Sequence, residues 1–114
     1  MNLEIKDIVF DPLDIDAGIV PIRIEIGERV KPGAESFHFT VASSDALAHE
    51  IANGDFKLLR GYILMSDFDV NVIRRSIENL INHARSRGTW PEVIAFFNRY
   101  GRYDSEDLDG AHFP

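Results

Sequence analysis

The apolar residues of this chain follow a period of two early and of about three and a half late, and that shift limits the architectures open to it. Across residues 19–27 the alternation is clean: Ile22, Ile24 and Ile26 fall on one side, Arg23 and Glu25 on the other. This is the pattern of a strand with one buried and one wet face. Beyond residue 69, Val70, Ile73, Ile77, Leu80, Ile81 and Ala84 recur at helical spacing. Strands first and long helices last predict an α+β fold. The expectation is a single domain, residues 1–114, with a mainly antiparallel sheet of about four strands packed against two or three helices, the long helices C-terminal.

The remaining elements follow from the same signals. A first strand is expected over residues 2–10, carried by Leu3, Ile5 and the run Ile8 to Phe10, and a turn-rich connection leads from Asp11 to Gly18. After a hairpin-length loop containing Lys31-Pro32-Gly33, residues 36–41 alternate again with Phe37, Phe39 and Val41 inward. Ser43 or Ser44 caps a short helix running to Asn53 and closed by Gly54. Residues 56–65 are too continuously apolar for an edge and predict a central strand. The long helix spans 69–87, with Asp69 or Asp67 as its cap. Thr89-Trp90-Pro91-Glu92 is a capping box with proline in the first turn, so another helix opens there. Trp90, Val93, Ile94, Phe97 and Tyr100 form its buried stripe, and Gly101 stops it.

Composition narrows the function classes. With 114 residues and 45% hydrophobic content, the chain can bury a core without staples. It has no cysteine, which removes disulfides, thiolate nucleophiles and thiolate zinc sites together. No apolar run is long enough for a signal peptide or a membrane span, so a cytoplasmic location is expected. The net charge of −7 is uneven: residues 1–66 carry six basic and eleven acidic groups, 67–103 six and four, and 104–114 none and four. Binding of nucleic acid or anionic membrane through net charge is disfavoured, because phosphate contacts need clustered cations. An acidic surface favours cationic partners and speeds encounter with them.

The search for chemistry comes back empty, and the expectation is a protein that is not an enzyme and uses no cofactor. His38 lies on the wet face of its strand, His83 on the polar side of the long helix, and His112 in the tail. His49-Glu50 begins like a metalloprotease signature, but Asn53 stands where the second histidine belongs. Asp14-Ile15-Asp16-Ala17-Gly18 lacks the spaced ligands and terminal glutamate of a calcium loop. Asp67 and Asp69 could be read as a magnesium pair, yet aspartates at a strand-to-helix junction more often cap the helix. Trp90 and the phenylalanines read as core. The tail differs: Asp104, Glu106, Asp107 and Asp109 interleave with Tyr103 and Leu108. Carboxylates so presented can pair with arginines while a tyrosine supplies a rigid anchor. The bland alternative is a solvated terminus.

Three ordered stretches resemble the bacterial immunity protein 8 family, one of the immunity families of polymorphic and contact-dependent toxin systems. The first is Ile24-Glu25-Ile26-Gly27 followed by Glu35-Ser36-Phe37-His38-Phe39-Thr40-Val41 and the capped helix. The second is Gly61-Tyr62-Ile63-Leu64-Met65-Ser66-Asp67-Phe68-Asp69 and the long helix behind it. The third is Gly88-Thr89-Trp90-Pro91-Glu92-Val93, then Tyr100-Gly101-Arg102-Tyr103-Asp104-Ser105-Glu106-Asp107. Where the family often ends in tryptophan-glutamate-phenylalanine, this chain has Tyr103-Asp104-Ser105.

The resemblance implies a cytoplasmic antidote that binds one cognate toxin domain and turns nothing over. Toxins of these systems are commonly nucleases with basic grooves, so the expected partner is a basic nuclease domain. No nucleic acid or membrane partner is expected, and the free protein should be a monomer or weak homodimer. Asp67, Asp69, Tyr103, Asp104, Glu106, Asp107 and Asp109 are the candidate toxin-binding residues. Two rival readings stand beside it: an adaptor that binds a peptide along a sheet edge, and a small hydrolase built from His38, His49 and nearby carboxylates.

Overall fold

Three alternating segments pair in the order in which the chain makes them. In the computed structural model, which describes residues 1–104, β1 (Leu3–Phe10), β2 (Ile19–Glu28) and β3 (Glu35–Ser43) form an antiparallel meander. The register sets Val20 against Val41, Ile22 against Phe39 and Ile24 against Phe37. The apolar members of both strands therefore share one face, and none of these six is more than 4% exposed. Burying each such side chain contributes about 1.5–3 kcal/mol. Arg23 opposite His38 and Glu25 opposite Ser36 lie on the other face.

The link from β1 to β2 is a 3-10 helix, Pro12–Ala17, capped by the Asp11 carboxylate, which accepts the Leu13 N–H at 2.9 Å. Gly18 ends it at φ 76, a left-handed backbone that glycine adopts freely. A Cβ there would also stand 2.7 Å from the Ala46 methyl and 2.9 Å from Ser43 Oγ. The connection is thus pressed onto the end of β3, where α1 (Ser44–Gly54) begins. Of the two serines, Ser43 is the cap and accepts the Ala46 N–H at 3.1 Å. Gly54 is the last residue of this helix, and the positive φ of 71 falls one residue later, on Asp55.

After α1 the chain forms β4 (Tyr62–Met65), parallel to β3. Parallel neighbours need a crossover, and α1 supplies it. The sheet order is β1-β2-β3-β4, so β4 lies at an edge. The expected central strand over 56–65 is therefore corrected on both counts: only its last four residues are strand, and they are not central. The physical reason lies in exposure, since Phe56 and Leu58 are 73% and 83% exposed. A continuous apolar run cannot by itself distinguish a buried strand from an uncovered apolar patch.

The two later helices cover the apolar face. In α2 (Val70–Ala84), Ile73, Ile77, Ile81 and Ala84 are buried, the face the spacing predicted, although the helix ends three residues short of residue 87. In α3 (Trp90–Phe97) Thr89 is the cap, as expected: its Oγ1 accepts the Glu92 N–H at 3.4 Å, while the Glu92 carboxylate accepts the Thr89 hydroxyl at 2.8 Å in place of the Thr89 backbone N–H of a full capping box. Val93 and Phe97 are buried, but Tyr100 is 45% exposed. The helix stops at Phe97, so Tyr100 has left its stripe. Phe96 is buried instead, with the Arg87 guanidinium 4.7 Å above its ring. A fifth strand, β5 (Arg102–Tyr103), pairs antiparallel with Phe37 and His38 of β3.

Candidate functional site

The chain leaves β4 through Ser66-Asp67-Phe68-Asp69, and the alternation sorts these residues. Phe68 turns inward against Phe10, with ring centroids 4.9 Å apart, while Asp67 and Asp69 are exposed. Asp69 is the cap of α2: its carboxylate accepts the Asn71 N–H at 2.8 Å and its carbonyl accepts the Ile73 N–H at 3.1 Å. Asp67 lies at the rim of a shallow depression shared with Ile15, Val41 and Phe68. Among the described residues no lysine, arginine or histidine pairs with either carboxylate. The two aspartates thus divide the work, one structural and one unengaged. Asp69→Ala is expected to cost about 0.5–2 kcal/mol, whereas Asp67→Ala should stay within about 0.5 kcal/mol of the parent. Thermal melts of the two variants check this, and equal losses would remove the cap assignment.

The second candidate group is assembled by β5. Its docking depends on Gly101, where a Cβ would stand 2.6 Å from the Phe39 ring and 2.9 Å from the His38 carbonyl. Arg60 clamps the same turn. Its Nη2 donates to the Asn98 carbonyl at 2.6 Å, to Asn98 Oδ1 at 2.9 Å and to the Gly101 carbonyl at 3.3 Å. A guanidinium at the end of α3 also matches the negative end of that helix. Asn98 Oδ1 in turn accepts the Tyr103 N–H at 3.1 Å.

Tyr103 packs its ring 5.5 Å from that of Phe37 and donates its hydroxyl to Glu35 Oε2 at 2.5 Å. The sequence offered Tyr103 as a rigid anchor for a partner; its ring and hydroxyl also engage the protein's own sheet. Tyr103 thereby ties the last described residues to β3. Asp104 stands next, with Oδ1 2.6 Å from His38 Nε2 and the side chain still 48% exposed. Glu106, Asp107 and Asp109 lie outside the described residues.

The two groups sit at opposite ends of β3. Ser43 adjoins Met65, just before Asp67, and Phe37 adjoins Tyr103. Six strand residues separate them, roughly 20 Å at about 3.3 Å per residue. They do not converge on a common reacting atom, yet one protein interface of about 800 Å² per partner could reach both. Sequence reasoning missed His38, Glu35, Asn98 and Arg60 as members of this arrangement. The His38–Asp104 and Glu35–Tyr103 pairs span 66 and 68 residues, and no local spacing announces them.

Lys57 has a displaced titration. Tyr62 first and Glu50 second hold its pKa above the ordinary lysine value of 10.5. Its ammonium lies 3.0 Å from Glu50 Oε1 and 5.3 Å from the Tyr62 ring centre. A raised lysine pKa stabilises below the unfolded value, so this contact persists at neutral pH and weakens only in alkali beyond 10.5. Among the described residues no group of three or more histidine, aspartate or glutamate side chains could hold a metal ion. No helix among them is long and apolar enough to cross a membrane.

Comparison with known proteins adds one finding. Residues 2–108 match the family model described as Immunity protein 8. No curated protein and no solved structure matches the chain.

Proposed function

The chain belongs to the immunity protein 8 family, and from that premise we propose that it protects the producing cell by holding one toxin domain in a tight one-to-one complex. It occludes the toxin and turns nothing over. The family match over residues 2–108 carries this reading. Two physical features support it. The net charge of −7 gives a field that attracts a basic surface. Asp67 offers a carboxylate with no cation of its own among the described residues, and Asp104 is half-exposed where the acidic segment begins.

The partner this surface suits is basic, as a nuclease with a groove for phosphates is. Asp67, Asp69, Asp104, Glu106, Asp107 and Asp109 would then stand where the phosphate backbone lies in the toxin's own complex. Tyr103 contributes by positioning the segment. Protection of a whole cell needs slow release, and a nanomolar complex corresponds to about −12 kcal/mol. The encounter would take place in the cytoplasm, in a contact-dependent or other polymorphic toxin system.

The test is co-expression. The C-terminal domain encoded by the open reading frame directly upstream should arrest growth alone, and this chain should restore it. Growth arrest that persists despite soluble expression of the chain would refute the reading.

A further inference from the structure

The two edges of the sheet are built in opposite ways. β1 carries Glu4, Lys6 and Asp7 along its length, and its register slips between Ile5 and Asp7. Charges and a bulge are the usual means of keeping an edge from pairing with another chain. β4, at the other side, reads Tyr-Ile-Leu-Met, without charge, proline or bulge. It pairs with β3 on one flank, and among the described residues no strand pairs with the other.

The surroundings of β4 are equally unguarded. Phe56, Leu58 and Leu59 lead into it at 73%, 83% and 41% exposure, and Leu64 within it is 50% exposed. Beside the strand lies a hollow of about 300 Å³, lined by Leu59, Ile63, Leu80 and Tyr100 together with Arg60 and Arg99. Exposed apolar groups gathered around an unpaired strand mark an interaction surface.

We propose that the free edge of β4 is where the toxin docks, by adding an extended apolar segment to the sheet with a basic residue placed against Asp67. The inference rests on the antidote reading and names the surface that reading leaves open. Charge selects the occupant. Asp67 and Asp69 follow β4 directly, so the far end of the strand is acidic, whereas Lys57, paired with Glu50, and Arg60, held by the Asn98 and Gly101 carbonyls, stand on its approach. A second copy would bring another net −7 and the same aspartates to this edge, and like charges there oppose pairing. A basic residue of the partner meets no such opposition at Asp67 and Asp69.

The experiment uses the full chain and the upstream-encoded toxin domain, catalytically inactivated. Leu58→Glu with Leu64→Glu changes two exposed side chains, and Leu58→Glu alone serves as the milder variant; both should melt with the parent. The double variant is expected to bind the toxin domain roughly 30-fold or more weakly. Amide exchange at Leu64, whose N–H faces the open flank while the Tyr62 N–H is held by the Leu59 carbonyl at 3.2 Å, should slow at least roughly tenfold in the wild-type complex, as for a newly paired strand amide. Wild-type affinity in both variants, with no slowing at Leu64, would overturn the docking surface and leave the antidote reading intact. Failure of the wild-type chain to bind the toxin domain at all would instead remove that reading and this inference with it. A wild-type dimer that the double variant converts to monomer would assign the edge to a second copy. Slow exchange in the free chain that is lost on deleting residues 105–114 would assign it to the chain's own C-terminus. Either of these last results also overturns the proposal.

Discussion

Phe37→Ala is expected to remove about 3–5 kcal/mol of stability, the cost of truncating a fully enclosed phenylalanine to a cavity. Against the roughly 5–15 kcal/mol that holds a domain of this size, that is a large share. A fall in melting temperature of roughly 15 °C or more should accompany it. The residue is 0% exposed and stands where three structures meet. It faces Ile24 across the sheet, packs 5.2 Å from the Phe97 ring of α3, and lies 5.5 Å from the Tyr103 ring of β5. Its loss should therefore do more than thin the core. The Tyr103 ring loses its platform, so amide protection at residues 102–103 should fall further than at residues 22–26 of β2. A melt within about 1 kcal/mol of the parent would show that the cluster does not carry the load assigned to it.

Reversing charge at Asp104, Glu106 and Asp107 to lysine is expected to slow association with a basic toxin domain about tenfold or more at low ionic strength. The effect should shrink as salt approaches physiological strength and the screening length falls to about 8 Å. Dissociation should change less, because exposed charges act mainly on encounter. Stability should move little, since the His38–Asp104 pair is only partly buried, with side chains 31% and 48% exposed, and pairs near the surface are worth about 0–1 kcal/mol. Stopped-flow association at two salt concentrations separates these terms. Rates equal to the parent's at both would take the acidic segment out of the interface, while the antidote role would stand on the remaining surface.

Much of the fold was legible because its signals are local. The alternation around Ile22, Ile24 and Ile26 placed β2 and its buried face. The α2 spacing found Ile73, Ile77 and Ile81, and the Thr89–Glu92 box fixed the start of α3. What stayed hidden depends on contacts between distant residues. β5 is two residues long and exists because Gly101 lets it approach Phe39 and because Arg60 and Asn98 hold the turn. No periodicity can mark so short a strand. The misreading of residues 56–65 has a different origin: hydrophobicity was taken for burial, and here it is a surface property of the segment that leads into an edge.

The candidate site was legible in the same uneven way. Asp69 was recognisable as a cap because capping is a local hydrogen bond. Asp67 could not be separated from it by sequence, since only the register of the junction shows which carboxylate is engaged. Tyr103 was named from the sequence as a candidate anchor, but its partners Phe37 and Glu35 come from β3, far back in the chain. A family resemblance bridged this gap at the level of function, because ordered motifs retain what folding brings together.

Titration of the toxin domain's activity with the purified chain tests the central claim most directly. Activity should fall linearly and reach zero at one equivalent, with no further change and no product formed from the toxin. Complete loss of activity at a small fraction of an equivalent would point to catalysis, and full activity at several equivalents would leave no antidote. Either outcome contradicts a protein that works by binding alone.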